Sequence, residues 1–274
     1  MKFSVLMSIY VKEKEEYFNS AMLSIWDFQT VKPDEIILVQ DGPLTNDLYE
    51  SIERWSAKLS GVLKIVELEQ NVGLGDALNL GLEHCSNELV ARMDADDICD
   101  AERFSKQIDT FQNDTSLSIC GTNILEFEGD INNVISTRCL PQLYSDILIA
   151  SIKLNPFNHM SVMYKKSHIQ NVGGYKHLPW MEDWYLWLRL MASGYKGINI
   201  PEYLVNARTG MSMISRRSGL KYIKSEWKLT KIKINLKLTS KSNACLIFII
   251  RAIPRILPKV LLNRLYLFSR KISV

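Results

Sequence analysis

Short, near-continuous apolar runs alternate with amphipathic stretches through residues 3–121. Phe3 to Tyr10, Glu35 to Pro43, Leu63 to Leu68 and the stretch from Leu89 read as strands, each closed by polar or turn residues. Strands that are apolar throughout belong to a sheet covered on both faces. Between them, Glu15 to Phe28 carries Phe18, Met22, Ile25 and Trp26 at helical spacing. Leu44 to Leu59 and Leu74 to Cys85 supply two further helices. Strand–helix units repeated in this way predict a mostly parallel, Rossmann-like α/β sheet with helices on both faces.

After residue 97 the rhythm changes. Ala101 to Gln112 predicts a helix and Leu117 to Gly121 a strand. Ile124 to Arg138 is broken around Gly129-Asp130, which predicts an antiparallel hairpin. Asp146 to Lys153 and Glu182 to Ala192 read as helices, and Met160 to Tyr164 and Ile198 to Asn206 as strands. The expected organisation is a domain over 1–212, with a nucleotide-type α/β half (1–121) and a more irregular partner half (122–212). A basic helical extension follows over 213–274.

Overall charge changes this picture only at the end of the chain. The net charge of +3 conceals an asymmetry: no Asp or Glu follows Glu226, and residues 227–274 carry 11 Lys/Arg. From Ala244 onward, apolar residues alternate with Arg251, Arg255 and Lys259, which recur every four residues and so share a helical stripe. Pro254 and Pro258 are expected to kink or interrupt that helix. A basic amphipathic segment of this kind suits an anionic membrane surface. The alternatives are packing on the body or a homodimer seam. Stacking aromatics are too sparse in the tail for nucleic acid, which is not an expected partner. Five scattered cysteines without a C-x-x-C pair indicate free thiols, and no apolar run is long enough for a conventional spanning helix.

Candidate chemistry gathers where the strands end. Met93-Asp94-Ala95-Asp96-Asp97 closes the fourth strand with three carboxylates in four residues. Asp94 and Asp96 lie two apart and share a face if the strand continues. Such a cluster at the carboxyl edge of an α/β sheet suits Mg²⁺ or Mn²⁺ together with a ligand's phosphates. The alternative is a turn with Asp97 capping the next helix. Asp41 ends the second strand, and Ser8 and Tyr10 end the first, so three strand ends present polar groups to one edge. Asp41 can accept from a base N–H, or can simply form an Asp-Gly-Pro turn. No G-x-G-x-x-G follows the first strand and no P-loop occurs, which argues against dinucleotide and P-loop chemistry.

Five motifs in register over residues 3–210 resemble the family 2 glycosyltransferases of GT-A fold. Ser4 to Tyr10 resembles their first strand, and Gln40-Asp41-Gly42-Pro43 their D-D-G-S turn. Asn71-x-Gly73-x-x-x-Ala77-x-Asn79-x-Gly81 is similar to their helix entry, and Asp94-Ala95-Asp96 to their D-x-D. Glu182-Asp183, between Trp180 and Trp184, resembles their late acidic motif. Gln40, Pro43 and Val11 depart from the pattern, and Arg208 is not followed by the usual His.

The resemblance implies a nucleotide-sugar donor, usually UDP-linked, and inversion at the anomeric carbon. It implies that Asp41 binds uracil, that Asp94 touches ribose or metal, that Asp96 holds the metal and that Asp183 is the general base. It further suggests a polyprenyl-diphosphate-linked saccharide acceptor in bacterial surface polysaccharide (O-antigen) assembly. The expected location is cytoplasmic and peripheral on the plasma membrane. His159 and Trp180, with Glu182, Arg208, Arg216 and Arg217, are candidates for the acceptor side. The three arginines suit phosphate oxygens, with solvated loop charges as the alternative. Two other functions fit parts of the pattern. A sugar nucleotidyltransferase would need a Gly-rich basic loop after the first strand, where Val11-Lys12-Glu13-Lys14 stands instead. A nucleotide-sugar binding protein would have no need of Asp183.

Overall fold

The computed structural model describes residues 1–209 and 219–256. Arg216, Arg217 and the tail from residue 257 lie outside the described residues. In chain order the elements are β1 (Phe3–Ile9), α1 (Glu15–Ile25), β2 (Glu35–Gln40), α2 (Asn46–Lys58), β3 (Leu63–Glu67), α3 (Leu74–His84) and β4 (Leu89–Asp94). β5 (Ile98–Cys99), α4 (Arg103–Asn113), β6 (Leu117–Phe127), β7 (Val134–Arg138) and α5 (Tyr144–Ser151) follow. A 3-10 turn (His159–Ser161) then leads to β8 (Met163–Lys165), α6 (Lys166–Asn171), α7 (Glu182–Ala192) and β9 (Lys196–Arg208). Two antiparallel helices, α8 (Leu220–Asn235) and α9 (Lys241–Ile256), complete the described chain.

The strands form one sheet in the order β3-β2-β1-β4-β8-β6-β9-β5, with β7 paired to β6. β3, β2, β1 and β4 are parallel, as their apolar runs predict. Alternate residues of β1 feed two cores. Phe3, Val5 and Met7 meet α1, α2 and α4 through Phe18, Leu48 and Phe104, while Leu6 faces α3 and α7 through Leu78 and Trp187. Period-two alternation within wholly apolar strands therefore produces the two helical layers.

The second half is less separate than its irregular sequence suggests. β8 inserts antiparallel between β4 and β6, and β6 pairs in parallel with β9, so residues beyond 122 continue the same sheet. β6 itself runs across position 121. The hairpin expected around Gly129-Asp130 is present as β6–β7.

The tail differs from expectation in one physical respect. Arg251 and Arg255 turn inward, not toward solvent. Arg251 Nε bonds both carboxylate oxygens of buried Glu226 at 3.0 and 3.1 Å, and its guanidinium lies 4.7 Å from the Trp184 ring centroid. The Arg255 guanidinium sits 5.0 Å from the Tyr222 ring centroid. Glu226, the last acid of the chain, thus supplies the counter-charge that the sequence after it lacks. α9 runs to Ile256, past Pro254, without the expected interruption. Among the described residues no helix is long and apolar enough to cross a membrane.

Candidate active site

The carboxyl ends of β1, β2 and β4 open into a cleft of about 400 Å³. Ser8, Tyr10, Asp41, Asp94 and Asp96 all line it, together with Glu13, Asn71 and Gly73. Register explains the convergence: Ser8 lies opposite Asp94, and Ile9 opposite Gln40, whose neighbour is Asp41.

Asp41 is buried and largely engaged. One oxygen accepts from Val72 N (2.7 Å), and the other from Asn71 Nδ2 (2.9 Å) and Gly73 N (3.2 Å). A carboxylate offers about four acceptor positions, so about one remains for a ligand. Gly42 follows with φ +85°, and a Cβ there would stand 2.6 Å from Asn71 N. The Asp-Gly turn and the Asn71–Gly73 loop are thus built against each other. The rest of that motif packs α3. A Cβ on Gly81 would lie 2.5 Å from Leu6 and Val39, and Asn79 brackets the Tyr175 backbone with bonds to its N–H (2.7 Å) and C=O (2.9 Å).

Ligating oxygens of Asp94, Asp96 and Asp97 lie within 4.8 Å of one another. Burial, then the Asp94 and Glu13 charges, push Asp96 up to about 7. Burial, then Asp96 and Asp94, also raise Asp97 well above the usual carboxylate range. Asp97 does not cap a helix. One oxygen accepts from Arg208 N (2.7 Å), and the other is buried without a partner among the described residues. Crowded, desolvated hard oxygens with an orphaned acceptor fit a divalent cation.

Two arginines frame this cluster. Arg92, fully buried within β4, pairs through Nη2 with Asp94, while its Nε and Nη1 have no hydrogen-bond partner among the described residues. Arg208 was expected on the acceptor side, but sits at the carboxylate turn. Its Nε donates to Asp96 O (3.0 Å), its Nη1 to Gly129 O (2.8 Å), and its guanidinium lies 3.8 Å from the Tyr17 ring centroid. These contacts hold the shape of the carboxylate turn.

On the other side, Asp183 stands in the first turn of α7. Its Oδ1 accepts from Trp184 N (2.7 Å) and its Oδ2 from Asn155 Nδ2 (2.5 Å). Beside it, Trp180 is exposed and adopts φ 67°, a left-handed backbone that is costly for a bulky residue. Its ring packs on Tyr222 with centroids 5.8 Å apart. Glu182 leans on Gly75 of α3, and burial raises its carboxyl above the ordinary value. His159 Nε2 meets the Tyr175 hydroxyl at 2.8 Å, and burial plus the Arg92 charge keep the imidazole neutral. Burial pushes the Tyr175 hydroxyl up, and the Asp183 and Asp94 charges add to that rise.

Sequence reasoning left Glu13, Arg92, Asn155 and Tyr175 without roles. Arg92 alone carried a readable signal, a charge inside an otherwise apolar strand. The other three acquire their positions through contacts distant in sequence.

Residues 4–172 match the family model described as glycosyl transferase family 2. The chain is 42% identical over 269 residues to an amylovoran biosynthesis glycosyltransferase of Erwinia amylovora, covering 98% of this chain and 99% of that one. It is 40% identical over 227 residues to the UDP-Gal:alpha-D-GlcNAc-diphosphoundecaprenol beta-1,3-galactosyltransferase of Escherichia coli, covering 83% and 81%. The fold resembles S. aureus TarS 1-349, solved in complex with UDP-GlcNAc, with a TM-score of 0.67 at 19% identity over 90% of this chain and 70% of that one. With the parallel sheet, the acidic strand end and these relatives in agreement, the chain belongs to glycosyl transferase family 2 and is a glycosyltransferase of GT-A fold.

Proposed function

We propose that this enzyme transfers a hexose or N-acetylhexosamine from a UDP-sugar, with inversion, to a lipid-diphosphate-linked saccharide during bacterial polysaccharide assembly. The observation that carries the reading is the single cleft in which the β1, β2 and β4 ends meet a crowded carboxylate cluster. The Escherichia coli relative supports the donor and acceptor classes, since its name gives UDP-Gal and a diphosphoundecaprenol-linked sugar. Tyr10 and the remaining acceptor position of Asp41 take the base. Asp94 and Asp96, with Asp97 in the same cluster, would hold Mg²⁺ or Mn²⁺. The cation would supply charge neutralisation for the departing diphosphate.

The chain's own residues do the rest. Arg92 fixes the Asp94 carboxylate, and Arg208 fixes the Asp96–Asp97 backbone. The acceptor hydroxyl attacks the anomeric carbon from the face opposite the diphosphate. Its proton passes to Asp183, which Asn155 and the Trp184 N–H hold in one orientation. Trp180 and Glu182 border the acceptor, and His159 supports that side through Tyr175. The enzyme works at the cytoplasmic face of the plasma membrane, where such acceptors are anchored. A screen of UDP-, GDP- and dTDP-sugars with Mn²⁺ and a lipid-diphosphate-sugar acceptor tests this. Transfer from a UDP-sugar, abolished by EDTA and restored by Mn²⁺ or Mg²⁺, is expected; EDTA-resistant transfer removes the metal from the reading.

A further inference from the structure

The inward turn of Arg251 and Arg255 takes two of the basic residues first expected to face a membrane, yet it leaves a different surface on the same helices. Leu246, Ile249, Ile250 and Ile253 are each more than half exposed. Their spacing puts them on one stripe of α9. On α8, Lys221, Lys224, Lys228 and Lys231 are all exposed, while Tyr222, Glu226 and Leu229 are buried. Beside the lysine face, Trp227 is 40% exposed and packs on Phe248 of α9 with ring centroids 5.0 Å apart. Lys231 Nζ lies 5.4 Å from the same indole centroid.

We propose that the α8–α9 hairpin is a docking surface for an anionic lipid bilayer. The apolar stripe enters the interfacial region, Trp227 sits at its boundary and the lysines reach lipid phosphates. Charge selects this occupant. A second copy would bring the same lysines against each other, and neither copy has an acid after Glu226 to answer them. Residues 257–274 also carry only basic charges. An anionic bilayer supplies both an apolar phase and counter-charge. Placement favours it as well: Tyr222 packs on Trp180, and Lys233 lies over the Trp184 ring at 4.0 Å. The hairpin therefore backs directly onto the segment that holds Asp183. Docking would present the acceptor side to the membrane, and in that purpose it rests on the lipid-linked acceptor proposed above.

The test is cosedimentation of the full chain with phosphatidylcholine vesicles with and without phosphatidylglycerol. Binding should require the anionic lipid and weaken with salt. Each lysine near such a surface strengthens binding about fivefold, so Lys224→Glu/Lys228→Glu/Lys231→Glu should lose well over tenfold. Ile249→Ser/Ile250→Ser should lose about tenfold as well. Both variants should keep the circular dichroism of the parent and its transfer to a soluble acceptor. Equal binding by parent and variants, or equal binding to neutral vesicles, overturns the proposal. So does a dimer in light scattering that Ile249→Ser/Ile250→Ser splits, without vesicle binding. If the parent docks but transfers no sugar, the surface stands and the functional reading fails.

Discussion

The acidic side chains around the cleft differ in how much of their hydrogen-bonding capacity the protein itself uses. Asp41 is largely spent on the Asn71–Gly73 loop, Asp94 is paired to Arg92, and one oxygen of Asp97 has no partner among the described residues. Asp183 accepts from Asn155 and from its own helix, an arrangement that orients a base. Asp183→Asn keeps size and surroundings but cannot take a proton. It should lower kcat by about 10²–10⁴-fold while calorimetry finds UDP binding unchanged; retained turnover would reassign the base. At the turn itself, Gly42→Ala puts a Cβ at φ +85° and against the Asn71 backbone, which cannot swing aside as a side chain could. The left-handed conformation alone costs about 1–2 kcal/mol. A lower Tm together with weaker UDP binding is the expected result, because the displaced loop is the one Asp41 grips.

The strands separate these roles by their two ends. At the amino edge, opposite the cleft, Glu35 of β2 accepts from Ser4 Oγ of β1 (2.6 Å), Lys64 Nζ of β3 (2.6 Å) and Ser86 Oγ ahead of β4 (3.0 Å). Burial would raise this carboxyl, but the donors outweigh it and hold it down at about 2. A folded value below the unfolded one gives stability that is fully present above about pH 4.5 and lost as pH falls toward 2. Glu35→Gln should therefore cost about 2 kcal/mol at pH 7, the exposed Lys64 partner being screened, and close to nothing near pH 2. Urea titrations at the two pH values measure the difference; an equal deficit at both would place the effect in packing.

These elements also mark what the sequence made legible. α3, β4 and α7 were readable almost to the residue because their apolar periodicity is local, and the cleft residues followed because strand ends are. Met160 to Tyr164 was readable as a strand, but its antiparallel insertion between β4 and β6 was not, because strand order is set by partners distant in sequence. β5, two residues long, and α6, six, are too short for a periodic signal. The placement of Arg208 was not readable either, because its partners, Tyr17, Asp96 and Gly129, come from three distant segments.

At the scale of the whole molecule, a buried ion pair ties the two helices of the C-terminal hairpin together where they pack on the catalytic body. Glu226 is almost wholly buried, and Arg251 covers it while also donating to Lys153 O (2.8 Å) and lying over Trp184, the neighbour of Asp183. Removing one member of such a pair leaves an uncompensated buried charge and costs about 3–5 kcal/mol, whereas replacing both by neutral groups can cost little. Arg251→Met alone should thus lower stability by about 3 kcal/mol, and Glu226→Gln/Arg251→Met should recover most of that loss in a double-mutant cycle. Activity adds a second readout. If the hairpin positions α7, Arg251→Met should raise the acceptor KM more than the donor KM, and the double variant should restore both. Recovery of stability without recovery of the acceptor KM would mean that the Arg251 contact with Trp184, and not neutralisation of Glu226, positions the acceptor side.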